Sequence, residues 1–316
     1  MNAMRRSLLF ASPACGGGRE RSEAGGGPCV KAPEYPVSSR KYGALPLPHG
    51  EMEKSSAFRG AHTFLALLIL CMASRTLAAE IPLAERKSGY DFMGRETRAM
   101  QDDDTANPGT LWVLDGEVLW NRAEGETNKS CADCHSDART SMKGIAARYP
   151  AYDAAQGKLV DLEARINLSR TEHQKAPALA FESKALLALT AYIARQSRGL
   201  PIELKDDART RDAIAAGGKL FEQRQGQLNL SCAQCHDDNW GQKLAAAPIP
   251  QGHPNGYPLY RLEWQNLGSL QRRLRNCLSG MRAEVPPYGA PELVELELFL
   301  MWRARGLPIE TPAVRP

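Results

Sequence analysis

The chain has little strand-like alternation, no apolar run long enough to span a bilayer and no large excess of one charge. Its formal net charge is only +4 over 316 residues, too small to argue for a nucleic-acid or membrane-surface partner. The longest apolar run, Phe64 to Ala73, is ten residues, against the ~20 that a spanning helix requires. Cysteine is also sparse. Of eight cysteines, Cys15, Cys29 and Cys71 lie near the beginning of the chain, and five remain for any folded part.

The first 51 residues carry two Gly-Gly-Gly runs and several prolines with almost no apolar periodicity, a composition that cannot bury a core. Met52 then opens a second, more ordinary start. Lys54 and Arg59 precede the apolar run, and Thr76-Leu-Ala-Ala79 follows it as a small-residue cleavage region. We expect residues 1–51 to be a disordered or mis-assigned extension and 52–79 to be a secretory signal peptide. The mature protein, from about residue 80, is then expected in the periplasm without a membrane span.

Four of the five remaining cysteines fall in two copies of one pattern, Cys131-Ala-Asp-Cys134-His135 and Cys232-Ala-Gln-Cys235-His236. CxxCH is the attachment site of a c-type haem. The two thiols add to the haem vinyl groups, and the adjacent histidine offers a nitrogen to the iron. A zinc ribbon would use the four cysteines together, but each pair here has its own histidine. Both pairs also follow similar leaders, Asn128-Lys-Ser and Asn229-Leu-Ser. Two covalently bound haems are therefore expected, with His135 and His236 as axial ligands.

An internal repeat runs through the same region. Gly116-Glu-Val-Leu-Trp120 resembles Gly217-Gly-Lys-Leu-Phe221, Tyr149-Pro150 recurs as Tyr257-Pro258, and Gly199-Leu-Pro-Ile-Glu203 recurs as Gly306-Leu-Pro-Ile-Glu310. Apolar residues at helical spacing fill Ser183 to Arg198 and Pro291 to Arg305. Each of these ends in a cationic turn and Gly-Leu-Pro, which pairs a left-handed cap with a breaker. The predicted fold is all-α: two small cytochrome c-type haem domains, at 80–200 and 201–316.

The fifth cysteine, Cys277, lies 41 residues after His236. An offset of 108 residues, set by the two Tyr-Pro pairs, lays Arg165 over Arg273 and Ser169 over Cys277. A thiol in the second half thus replaces a hydroxyl in the first. Arg272, Arg273, Arg275 and Arg282 are close in sequence, and nearby cations favour the thiolate, the form that binds metal and attacks sulfur. Cys277 is the expected axial partner of the second haem, with Met281 and His253 as alternatives. A small buried residue is the plainer reading of any free cysteine. Guanidinium forks match oxyanions, so a thiolate, an arginine and a redox cofactor together suggest chemistry on an anionic sulfur compound.

The two CxxCH motifs, Arg273-Leu-Arg-Asn-Cys277-Leu-Ser-Gly-Met-Arg282 and the paired Arg-Gly-Leu-Pro segments resemble the SoxA family. Its members are the dihaem subunits of the SoxAX cytochromes of thiosulfate-oxidising bacteria. The resemblance covers nearly the whole mature chain. It implies an L-cysteine S-thiosulfotransferase, which joins thiosulfate oxidatively to a cysteine of a SoxYZ-like carrier. Two electrons then pass through haem, including that of a SoxX-like monohaem partner, to a soluble cytochrome c. By position, Cys277 would be both axial ligand and catalytic cysteine, found in the family as a persulfide, and Arg273 would hold thiosulfate.

One position departs from the family. Where two-haem members carry a second axial cysteine, this chain has Ser169, a poor ligand for haem iron. His173, one turn further along if the stretch is helical, is the best substitute, and Met142 the next. Two rival functions remain open on the sequence: a dihaem thiosulfate dehydrogenase forming tetrathionate, and a plain electron-transfer cytochrome in which Cys277 only sets the potential.

Overall fold

A helix precedes the CxxCH in both halves, Thr110–Asn121 and Ala208–Glu222, and carries the repeated Gly116–Trp120 and Gly217–Phe221 segments. The computed structural model describes residues 80–316, which belong to one compact unit; the expected extension and signal peptide lie outside the described residues. Each of these helices packs along the last long helix of its own half, Lys184–Arg195 in the first and Pro291–Arg303 in the second. Glycine at the crossing makes the close approach possible. A Cβ on Gly116 would lie 2.1 Å from the Ala188 carbonyl oxygen, and one on Gly217 2.1 Å from that of Glu295.

Around each crossing the apolar residues repeat. Trp120, Leu189, Tyr192 and Ile193 form the first cluster, and Phe221, Leu296, Phe299 and Leu300 the second. The aromatic pairs Trp120–Tyr192 and Phe221–Phe299 stand 6.0 and 5.3 Å apart between ring centroids. Gly217→Ala should force the second helix pair apart, at about 1–3 kcal/mol. A clear fall in melting temperature is expected, whereas Gly280→Ala, with no atom within 4 Å of the new methyl, should leave it unchanged.

The chain is mostly helical, but the expectation of an all-α fold needs correction. A short antiparallel hairpin, Ala151–Asp153 with Lys158–Val160, precedes the Leu162–Ser169 helix. Its counterpart, Leu259–Arg261 with Asn266–Gly268, precedes the Leu270–Gly280 helix in the same register. The C-terminal strand Ala313–Arg315 adds in parallel to the second hairpin, and a two-residue hairpin, Lys243–Leu244 with Ala247–Pro248, sits in the loop after the second CxxCH. Strands of two or three residues are too short to display an alternating pattern, so the sequence hid them.

The repeated Gly-Leu-Pro-Ile-Glu segments hydrogen-bond to one another. Gly199 N donates to the Ile309 carbonyl at 2.8 Å, and Ile309 N to that of Leu200 at 2.9 Å. Ile202 N donates to Leu307, and Gly306 N returns to Ile202. Gly199 and Gly306 both hold left-handed backbone, φ +81° and +86°, as the predicted caps require. Ile202 and Ile309 share one buried cluster. This pairing joins the halves.

Between the halves lies a cavity lined by both Tyr-Pro pairs, Thr190, Glu163 and Glu297. Burial pushes the Glu163 carboxyl up to about 8, aided by the charge on Asp161, and raises Glu297 well above its usual range. Such an acid binds its proton more tightly folded than unfolded. Its contribution is therefore complete below the unfolded value and is lost as pH rises through about 8. Glu163→Gln should flatten that decline, measured as denaturation midpoints from pH 5 to pH 9; an unchanged slope would exclude Glu163 as its source.

Candidate functional site

Each CxxCH forms one short helix, Cys131–His135 and Cys232–His236, started by a serine cap. Ser130 accepts from Asp133 N while the Asp133 carboxylate accepts from Ser130 N; Ser231 and Gln234 repeat the exchange. These capping boxes satisfy the first amides of a helix too short to hold itself. One turn of helix then brings Cys131, Cys134 and His135 to one cavity, and Cys232 and His236 to another.

The first cavity, open to solvent on one side, has an empty volume of about 890 Å³ including its mouth and is lined by Cys131, Cys134 and His135 together with Trp120, Leu162, Ile166, Leu189 and Ile193. Met142, Arg165, Ser169 and His173 also line it. The second, likewise open, has about 1150 Å³ including its mouth and is lined by Cys232, His236, Phe221, Leu274, Leu296 and Leu300, with Tyr257, His253, Arg273 and Cys277. Cys235 is not among the lining residues; burial raises its thiol, and the nearby Cys277 adds to the shift. Predominantly apolar walls with a few convergent polar groups are what a cofactor site requires.

Arg273 and Cys277 are four residues apart on the Leu270–Gly280 helix, so both lie on the face turned to the cavity. Both are half-buried. The neighbouring arginines do not join them. Arg272 stacks on Trp264 at 4.3 Å and reaches Glu182 at 3.6 Å, while Arg275 stacks on Tyr288 at 4.3 Å. Neither lines the cavity, nor does Arg282. The dense arginine run therefore places one guanidinium, not four, beside the thiol, because a helix turns by about 100° per residue.

The alternatives to Cys277 fall elsewhere. Met281 caps the helix and packs with Leu278 and Leu293, away from the cavity lining. His253 lines the cavity, but on the side of His236: it follows Gly252, whose added Cβ would sit 3.1 Å from the His236 ring, and its Nδ1 donates to the Lys87 carbonyl at 2.9 Å.

The two halves differ in charge at one equivalent position. In the first, Arg165 pairs with Asp153 at 2.7 Å. The 108-residue offset lays Arg261 over Asp153, and Arg273 has no ion pair among the described residues. Arg261 also lines the cavity but is paired with Glu263 at 3.0 Å, and Arg315, a further lining residue, is paired with Glu310. A guanidinium without a carboxylate partner keeps its charge available to an anion, whereas one paired with an aspartate does not. Sequence reading missed this exchange, although the offset that aligned Ser169 with Cys277 also aligns these two residues.

The residues present fit a c-type haem in each cavity. His236 Nδ1 donates to the Pro250 carbonyl at 2.8 Å, which fixes the tautomer and leaves Nε2 free to bind metal. Burial holds this imidazole below the usual histidine range, in its neutral, ligating form. His253 Nε2 is buried in the same cavity region without a hydrogen-bond partner. His135, more exposed, has its ring 5.8 Å from that of Trp120.

The family model described as SoxA/TsdA, cytochrome c domain, matches residues 115–202 and again 216–309. The chain is 42% identical over 246 residues to L-cysteine S-thiosulfotransferase subunit SoxA of Pseudaminobacter salicylatoxidans, covering 77% of this chain and 86% of that one. It is 36% identical to the SoxA subunit of Rhodovulum sulfidophilum, covering 73% and 80%. Among solved structures, SoxXA from P. pantotrophus superposes with a TM-score of 0.71 at 34% identity, covering 73% of this chain and 87% of that chain.

Proposed function

The chain belongs to the SoxA family of dihaem cytochromes, and we propose on that premise that it is the subunit of an L-cysteine S-thiosulfotransferase that carries the reaction centre. The two haems are bound through Cys131 and Cys134 with His135, and through Cys232 and Cys235 with His236. They supply one-electron redox chemistry. A SoxX-like monohaem cytochrome is the structural partner, as in the SoxXA complex of P. pantotrophus. The reaction takes place in the periplasm, and no helix among the described residues is long and apolar enough to cross a membrane.

The observation that carries this reading is the placement of Arg273, without a carboxylate partner among the described residues, one helical turn from Cys277 in the cavity that His236 also lines. Arg273 binds the thiosulfate dianion and offsets its repulsion from the Cys277 thiolate. The outer sulfur of thiosulfate forms a bond to Cys277 Sγ, and two electrons leave to a soluble cytochrome c. The thiolate of a SoxYZ-like carrier then attacks that outer sulfur and displaces Cys277 as thiolate. The sum is carrier thiol plus thiosulfate giving carrier thiosulfonate, one proton and two electrons, so charge and atoms balance.

The test combines the purified chain, its monohaem partner, ferric cytochrome c, thiosulfate and a carrier ending in a reactive cysteine. Intact mass of the carrier should rise by one thiosulfonate group as cytochrome c is reduced. Tetrathionate accumulating while the carrier mass stays fixed would overturn the reading in favour of a thiosulfate dehydrogenase.

A further inference from the structure

The first haem site has Ser169 where the second has Cys277, and the turns that follow differ by one residue. Up to Ser169 the halves keep the 108-residue offset: the helix caps are Asp161 and Ser269, and the helices begin at Leu162 and Leu270. After the turn the offset is 107. Lys175 and Arg282 hold the same left-handed backbone, φ +53° and +56°, and Ser183 and Ala290 cap the last helices. Glycines from the preceding loops confirm the register, for a Cβ on Gly125 would strike the Gln174 carbonyl and one on Gly226 that of Met281.

The first half therefore has one extra residue between Ser169 and Lys175. It is accommodated as a π-turn, Arg170–Gln174. Such one-residue insertions widen a helix locally, re-aim the side chains that follow and are frequent at functional sites. In the second half the residues at this level, Gly280 and Met281, do not line the cavity. In the first half His173 does, together with Ser169 and Arg165. The imidazole of His173 has no hydrogen bond or ion pair of its own among the described residues, and only its backbone carbonyl is engaged, by Thr127 Oγ1 at 3.2 Å.

The repeat also removes Met142. The 108-residue offset places Met142 over Pro250, and both precede a glycine pair with matching left-handed backbone, Gly144 at φ +75° and Gly252 at φ +78°. Pro250 lies on the side of the attaching histidine, where its carbonyl accepts from His236. By this alignment Met142 corresponds to a position on the histidine side of the second cavity and not to Cys277.

We propose that the π-turn and His173 replace the missing cysteine, making His173 the distal ligand opposite His135 in the first haem site. The inference rests on the dihaem reading above. It implies two haems of different ligation in one chain: imidazole with imidazole in the first half, imidazole with thiolate in the second. The insertion and the serine are then one compensated change. A neutral nitrogen reaching from a widened turn replaces a short thiolate on the regular helix.

Electron paramagnetic resonance and near-infrared spectra of the purified oxidised holoprotein test this without turnover. Two low-spin species are expected, one with the signature of paired imidazoles. His173→Ala should turn that species alone high-spin, and free imidazole should restore it; Met142→Leu should leave both spectra as they are. A high-spin first haem in the unaltered protein, or an unchanged low-spin pair in His173→Ala, would overturn the assignment. If His173→Ala loses the cofactor, the unaltered protein's spectrum decides alone. Intact mass separates the two levels of failure: a chain with fewer than two haems defeats the dihaem reading, whereas two haems without a bis-imidazole species defeat only the role of His173.

Discussion

Cys277→Met should leave both haems covalently attached and abolish thiosulfate-dependent reduction of cytochrome c. The attachments at Cys131, Cys134, Cys232 and Cys235 lie on separate short helices, so the substitution does not disturb them. Methionine is longer than cysteine, but its thioether can ligate iron, so the second haem should stay low-spin. It cannot, however, form and release a sulfur–sulfur bond. Removing a covalent nucleophile typically lowers kcat by about 10³-fold or more. Steady-state reduction of cytochrome c measures the loss, and an optical spectrum with haem content shows that the fold has survived. Turnover within tenfold of the unaltered protein would instead make Cys277 a tuner of potential, and the chain an electron carrier.

A second large effect is expected at Arg273. Arg273→Ala removes a charge-assisted contact worth about 1.5–3 kcal/mol, or roughly 10- to 100-fold in kcat/KM for thiosulfate. Most of the loss should appear in KM, because the arginine binds the anion in the ground state as well as in the transition state. The repeat offers a sharper form of the same experiment. Arg261→Asp recreates in the second half the pair that Asp153 makes with Arg165 at 2.7 Å in the first. Arg273 should then be compensated, and KM should rise although Arg273 itself is untouched. Asp153→Asn, acting at the other cavity, should leave KM unchanged. If Arg261→Asp has no effect on KM, the uncompensated guanidinium is not the anion site.

The haem sites were legible because covalent attachment imposes a contiguous motif. Two cysteines and a histidine within five residues must share one turn of helix, whatever the rest of the chain does. The long helices were legible for the same local reason, through the period of Leu186, Leu187, Tyr192 and Ile193 and of Leu293, Leu296 and Leu300. The hairpins were not, since three-residue strands such as Ala151–Asp153 carry too few positions to show a period. The arginine run was misleading in the opposite sense. Four guanidinium groups close in sequence suggested a ring around Cys277, yet Arg272 and Arg275 turn to Trp264 and Tyr288.

What the sequence alone determined is the inventory: two haem attachment motifs, a repeat at a nearly constant offset, one cysteine beyond those the haems use, and an arginine one turn before it. These follow from spacing, which the covalent chain carries directly. Only the tertiary structure decided which of those residues meet. It put Arg273 with Cys277 and His236 in one cavity, sent Met281 to the apolar cluster around Leu293, and widened the turn that brings His173 to the first cavity. The reason is geometric. A site's chemistry depends on the direction in which each side chain leaves its helix, and one inserted residue or one neighbouring charge, such as Asp153 against Arg261, alters that outcome without altering any motif.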